Sequence, residues 1–148
     1  MSTRRGVVIN AHGGAIELGD NVSLNPYTIL LGHGGIHIGD DVRIAAHVVI
    51  VSFEHGTART DIPMRRQSLV KKPVIIENDV WIGAGAKVLA GANIATGCVI
   101  GANAVIKGET VPYGIYAGVP ARLVKMRGQD RAVEGKDPSA TRRRLHAL

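Results

Sequence analysis

One feature restricts this chain more than any other: a run of large aliphatic residues recurring every sixth position. Ile76, Ile82, Val88, Ile94, Ile100 and Ile106 are spaced by six, as are Leu18, Leu24 and Leu30, then Ile38, Ile44 and Ile50 after a slip of two. Four positions after ladder residues come Val22, Thr28, Val42, Val48, Val80, Ala86, Ala92, Cys98 and Ala104, all small or β-branched. Gly19, Gly39, Gly83 and Gly101 each follow a ladder residue by one. An α-helix repeats at 3.6 residues and a plain strand at 2, so neither gives a period of six. A chain that turns a corner every six residues does. Three such faces close an 18-residue coil, and coils stack at the strand spacing of about 4.8 Å. Residues 16–33, 36–53 and 74–108 supply about four coils, with a partial coil from residues 6–15. The stacked aliphatic ladder is then the core. A narrow prism has no room for large rings, which agrees with an aromatic content of 3%.

The period breaks twice. Gly32, Gly34 and Gly35 absorb the slip before Ile38. Between Ile50 and Ile76 lies a polar, basic insertion, Ser52 to Pro73, expected to protrude as an irregular loop. A loop of that length inside a regular solenoid usually has a functional reason.

Charge and cysteine content narrow the function classes. The net charge of +6 is concentrated at the end: +5 within residues 121–148 and +1 before them. The expected organisation is therefore a solenoid domain over 1–127 with a protruding loop at 52–73, followed by a basic tail over 128–148. With so few aromatics there is no supply of stacking platforms for single-stranded nucleic acid. The single cysteine, Cys98, excludes an internal disulfide framework and falls in the small-residue column, where it reads as buried. No stretch approaches the roughly 20 apolar residues of a membrane span, and nothing resembles a secretion leader. The expectation is a soluble, cytoplasmic chain.

Three segments go beyond the repeat: the loop around Glu54-His55, the run from Pro73 to Gly85 containing Trp81-Ile-Gly-Ala84, and Tyr116-Ala-Gly-Val-Pro-Ala-Arg122. Together they resemble the hexapeptide-repeat acyltransferases, and within them the sugar O-acetyltransferases of the galactoside, maltose, nodulation-factor and polysaccharide kinds. The resemblance runs from about Leu18 to Lys125. It implies an all-β, left-handed parallel β-helix, a homotrimer, and acetyl-CoA as co-substrate held between subunits. It implies transfer of an acetyl group to a hydroxyl of a sugar or glycan by direct attack, without a metal.

The resemblance also assigns residues. His55 matches the family's catalytic base; imidazole suits removal of a hydroxyl proton near neutral pH. Asn25 matches an asparagine near the acceptor hydroxyl, although an asparagine that turns a corner explains it equally well. Glu54 either orients His55 or is plain loop charge. Trp81 matches a residue beside the pantetheine arm. Ala84 and Ala102 match backbone contacts to the cofactor, Ala84 being a candidate oxyanion donor. Lys107, Arg122 and Lys125 match positions nearest the nucleotide phosphates. Many sugar acetyltransferases carry an N-terminal helical segment that helps shape the acceptor pocket; here the solenoid starts almost at once.

Three other readings compete. Transfer to an amine, as in amino-sugar acetyltransferases, is not separated from transfer to a hydroxyl by these motifs. A metal-dependent hydratase of the γ-carbonic anhydrase kind needs three convergent histidines. His33, His37, His47 and His55 are available, but the two widely spaced downstream ligands of that family are missing. A non-catalytic scaffold would need neither the long polar loop nor the Ala117–Arg122 segment.

Overall fold

A computed structural model describes residues 1–129. The six-residue period becomes a triangular prism of stacked β-coils. The first face runs through Ser2–Thr3, Ser23–Leu24, Arg43–Ile44, Trp81–Ile82, Val99–Ile100 and Gly114–Ala117, all parallel. The second face stacks Val8–Asn10, Ile29–Leu31, Val49–Val51, Lys87–Val88 and Val105–Ile106. The third stacks Ile16–Leu18, Ile36–Ile38, Val74–Ile76 and Asn93–Ile94.

Ladder residues meet their counterparts one coil away. Leu24, Ile44, Ile82 and Ile100 align on the first face, Leu30, Ile50, Val88 and Ile106 on the second, Leu18, Ile38, Ile76 and Ile94 on the third. All are buried except Leu18, which is partly covered in the first complete coil. The nine small residues of the second column are buried too, Cys98 among them; its Sγ lies 3.1 Å from the Val111 carbonyl oxygen. The residue before each of them makes the turn. Asn21, Tyr27, Asp41, His47, Asp79, Gly85, Gly91, Gly97 and Asn103 all have left-handed φ, between 55° and 80°. Asn, Asp and Gly tolerate that region best, which explains most of this column.

The prism is longer than its period implies. The first coil, beginning at Ser2, pairs with the second at an offset of 21 residues on two faces, because Ala11–Gly14 widens its corner, and at 20 on the third, because of the slip at Gly32–Gly35. At the other end Tyr116 takes the ladder slot above Ile100. It is 8% exposed, and its hydroxyl oxygen accepts the Val111 N–H at 2.8 Å. Strand Arg122–Met126 then folds back antiparallel along Gly114–Ala117 and covers the last open edge. An uncovered end of a solenoid would present unpaired backbone groups to other chains. Arg127 fastens this strand by donating to Asp79 Oδ2 at 2.7 Å and to the Gly97 carbonyl at 3.2 Å.

The insertion is not irregular throughout. Phe53–His55 pairs antiparallel with Leu69–Lys71, so it leaves the prism as a two-stranded ribbon. Its tip is braced by the Gln67 side chain, which donates to the Arg59 carbonyl at 2.9 Å and accepts the Arg59 N–H at 3.1 Å. The short 3₁₀ turn Met64–Arg66 is the only helix among the described residues, and no helix there is long and apolar enough to cross a membrane. The tail expected over 128–148 lies outside the described residues, apart from Gly128 and Gln129.

Candidate active site

The residues singled out by sequence fall on two edges of the prism, with the second face between them. The edge joining the first and second faces carries Asn25, Trp81, Ala84, Ala102 and Arg122. Trp81 lies in register between Arg43 and Val99 and is 56% exposed. Two residues beyond the ladder position, each coil presents one residue at the corner: Pro26, Ala46, Ala84 and Ala102 in turn. The carbonyls of Pro26, Ala46 and Ala84 bond to the next coil, as in His47 N–H to Pro26 O at 3.0 Å and Asn103 N–H to Ala84 O at 2.8 Å.

Their amides behave differently. Around Ala84, the N–H groups of Gly83, Gly85 and Ala86 are all taken; around Ala102, so are those of Gly101, Asn103 and Ala104. The Ala84 and Ala102 N–H groups have no acceptor among the described residues, and both residues are exposed. Two free backbone donors thus stand one coil apart, at about 4.8 Å. The glycine beneath them permits this packing: a Cβ on Gly83 would lie 2.6 Å from the Ala102 nitrogen. Further along, the Ala121 N–H donates to the Val105 carbonyl at 2.8 Å, which carries the chain over the same edge and leaves Arg122 exposed at its end. Lys125 pairs with Ile115, in the outer row of the first face that also contains Trp81 and Val99.

Asn25 lies on this edge also, two coils before Ala84. Its Nδ2 donates to the Ile44 carbonyl at 2.8 Å, in the row where later coils have Gly83 and Gly101. The Thr28 hydroxyl donates to the Asn25 carbonyl at 2.8 Å. The corner-turning role is therefore built in, whatever else Asn25 does.

The second edge, between the second and third faces, carries the ribbon. Side chains alternate along a strand, so Phe53 and His55 project to one side and Glu54 to the other. His55 is exposed and stands edge-on to Phe53 at 6.1 Å. Phe53 packs on His33 at 4.0 Å, and His33 stacks on His12 at 4.0 Å, a column of rings running down the coils. Glu54 points the opposite way and forms an ion pair with Lys107. Its hydrogen bond to the Lys107 ammonium holds the carboxyl below the usual carboxylate range, with Lys72 adding to the effect. In this arrangement Glu54 faces away from the His55 ring, and the Lys107 ammonium is paired with Glu54. A cavity of about 400 Å³ at the ribbon tip is lined by Gly56, Ile62, Arg66, Ser68 and Val70 among others.

The ring column was not among the residues picked from sequence. Its signal was a repeated His-Gly-Gly, at His12–Gly14 and His33–Gly35, whose spacing of 21 residues equals the register offset between Val8 and Ile29. The histidines do not converge. His37 faces Glu17 at 2.9 Å on the third face, His47 stacks on Tyr27 at 5.1 Å on the first edge, and His33 and His55 lie on the second. Among the described residues no three His, Cys, Asp or Glu side chains are grouped to hold a metal ion.

Comparison with known proteins agrees with this architecture. The pattern described as bacterial transferase hexapeptide (six repeats) matches residues 73–108. The "probable acetyltransferase" Rv3034c of Mycobacterium tuberculosis is 39% identical over 119 residues, covering 80% of this chain and 40% of that protein. WbbJ of Escherichia coli, named for O-acetyl transfer in lipopolysaccharide biosynthesis, is 34% identical over 128 residues, covering 81% of this chain and 65% of that protein. The chain thus spans less than two thirds of either relative. Among solved structures, the hexapeptide-repeat acetyltransferase VCA0836 of Vibrio cholerae, complexed with acetyl coenzyme A, superposes with a TM-score of 0.69 at 26% identity, covering 82% of this chain and 68% of that one. Repeat, corner chemistry and these likenesses coincide: the chain belongs to the hexapeptide-repeat transferase family, and its prism is that family's left-handed parallel β-helix.

Proposed function

We propose that the protein is an acetyl-CoA-dependent acetyltransferase that acetylates a hydroxyl of a sugar or glycan, with His55 as general base and the site completed by a second copy of the chain. The observation that carries this reading is the pair of unused amides at Ala84 and Ala102, on an edge that starts beside Trp81 and ends at Arg122. Free donors in a row suit an extended, amide-rich pantetheine arm, and a guanidinium at the end suits phosphate. The names of WbbJ and Rv3034c, and the coenzyme held by the Vibrio cholerae relative, support the same chemistry.

Geometry argues for the second copy. Within one chain the Ala84 edge and the ribbon are separated by the width of a face, about 15 Å for five extended residues. Attack requires the reacting atoms at about 3–3.5 Å. A neighbouring prism that sets its ribbon against this edge closes the gap, and rotational symmetry repeats the arrangement; the resemblance implies three copies. In the reaction, His55 of one copy takes the acceptor hydroxyl proton as the oxygen attacks the thioester carbon. The carbonyl oxygen gains charge against the Ala84 N–H of the other. Collapse expels the coenzyme A thiolate, which receives the proton from the imidazolium.

The test follows thiol release from acetyl-CoA across a panel of sugars, with sedimentation on the same sample. Turnover of a hydroxyl acceptor by a species of about three chain masses is the expected result. Failure to bind coenzyme A would sink the proposal and leave a scaffold. Within the same assay, Arg122→Ala is expected to raise KM for acetyl-CoA about ten-fold, the scale of one lost charge-assisted hydrogen bond. Lys107→Ala is expected to change that KM less than about two-fold, because its ammonium already serves Glu54. Equal effects at both positions would return Lys107 to the nucleotide end.

A further inference from the structure

We propose that the His55 side of the ribbon, together with the His12–His33 stack beneath it, is an anion-binding subsite, and that the acceptor carries a carboxylate or phosphate. The inference rests on the acetyltransferase reading and adds the charge class of its acceptor.

Two corners with the same His-Gly-Gly sequence lie on consecutive coils. They touch closely enough that a Cβ on Gly14 would fall 2.0 Å from the Gly32 carbonyl oxygen. This contact sets the His12 and His33 rings 4.0 Å apart and within 19° of parallel. Phe53 closes the far side of His33 at 4.0 Å. Lys71 pairs in register with Phe53, and Leu69 with His55, so Lys71 and His55 project to the same side of the ribbon. Three groups that carry or can take positive charge therefore lie in or beside the ring column, which meets the side of the ribbon that bears His55. Among the described residues no carboxylate pairs with His12, His33 or Lys71. The acid nearest in sequence to the base, Glu54, is on the opposite side and is engaged by Lys107.

Burial pushes the His33 imidazole below its ordinary value, and His12 and Lys71 push it the same way. Its Nδ1 is enclosed without a hydrogen-bond partner, so full protonation would strand an N–H there. An anion beside Lys71 and the stack offsets the Coulombic part of this depression, the push from His12 and Lys71. Spacing also fits. The Lys71–Phe53 pair is two residues from the Leu69–His55 pair, about 7 Å along the ribbon. That is the span of one pyranose ring, with its acidic group beside Lys71 and a hydroxyl beside His55.

The experiment compares matched acceptors with acetyl-CoA: a hexose, the corresponding hexuronate, and the hexose phosphate. Expected is a kcat/KM at least about ten-fold higher for one anionic member than for the neutral sugar, shrinking as salt rises. The preferred arm identifies carboxylate or phosphate. Lys71→Gln should erase the preference while leaving KM for acetyl-CoA unchanged. Equal use of the neutral hexose overturns the proposal. A second measurement needs no turnover: titration of the imidazole proton resonances with hexuronate or inorganic phosphate. His33 should titrate at higher pH when the anion is present, and Lys71→Gln should abolish that shift. If thiol release fails but the shift appears, the catalytic reading is wrong and the anion site stands; if the shift is absent for both anions, the site falls.

Discussion

Replacing His55 by alanine is expected to lower kcat by about 10²–10⁴-fold, with acetyl-CoA binding and assembly intact. The expectation follows from where the side chain is. His55 is exposed, its ring makes one edge-on contact with Phe53, and its strand is held by backbone pairing with Leu69. Truncation therefore removes chemistry without removing support. The ribbon keeps its Gln67 brace, its Glu54–Lys107 pair and the Phe53–His33 packing. Loss should appear in kcat more than in KM, because proton removal develops in the transition state and not in the bound substrate. Acidification should act on the wild type in the same direction, since a protonated ring has no lone pair for the hydroxyl proton. Near-normal turnover by His55→Ala on the true acceptor would assign the base elsewhere and leave the exposed ribbon without its proposed task.

The comparison of sequence and structure divides along contact range. Ladder residues such as Ile82 and corner residues such as Ala86 were legible because a six-residue period repeats the same local decision, and each repeat reinforces the register of the next. The first coil was harder to see: Ala11–Gly14 widens one corner, so Ile9 and Leu18 are nine apart and break the count. Tyr116 was hidden for another reason, since a tyrosine in an aliphatic slot carries no periodic signal. The site was partly legible. Ala84 and Ala102 do share an edge, because residues at equal positions in successive repeats must stack, whereas Trp81 stands in the adjoining face beside Val99 and Arg122 in the strand that folds back along Gly114–Ala117. What one chain's pattern did not convey was pairing across the insertion. Glu54 and Lys107 are 53 residues apart, and only the folded ribbon brings them together. Strand alternation then decides that Glu54 turns away from His55, a consequence that becomes available once the insertion is known to be a strand there.

The amide column permits an unusually clean test of oxyanion stabilisation. Ala84→Pro deletes one N–H and adds a small ring, and is expected to lower kcat by about 10²–10³-fold, the cost typical of losing one oxyanion donor. Proline normally disrupts a β-structure by removing a ladder hydrogen bond. Here no such bond is lost, since the Ala84 N–H has no acceptor among the described residues. The chain itself supplies the precedent: Pro26 occupies the same corner position two coils earlier, and its carbonyl still accepts the His47 N–H at 3.0 Å. The preceding residue, Gly83, tolerates the restriction that proline places on its neighbour. Melting temperature and sedimentation should therefore stay close to wild type while turnover falls. Ala102→Pro, one coil further along, provides the control. Its amide faces the cofactor arm rather than the reacting carbonyl in the proposed pose, so its effect should fall on KM for acetyl-CoA and spare kcat. A reversed pattern, with Ala102→Pro lowering kcat and Ala84→Pro raising KM, would move the thioester one coil toward Arg122 and require the neighbouring ribbon to reach the edge there instead.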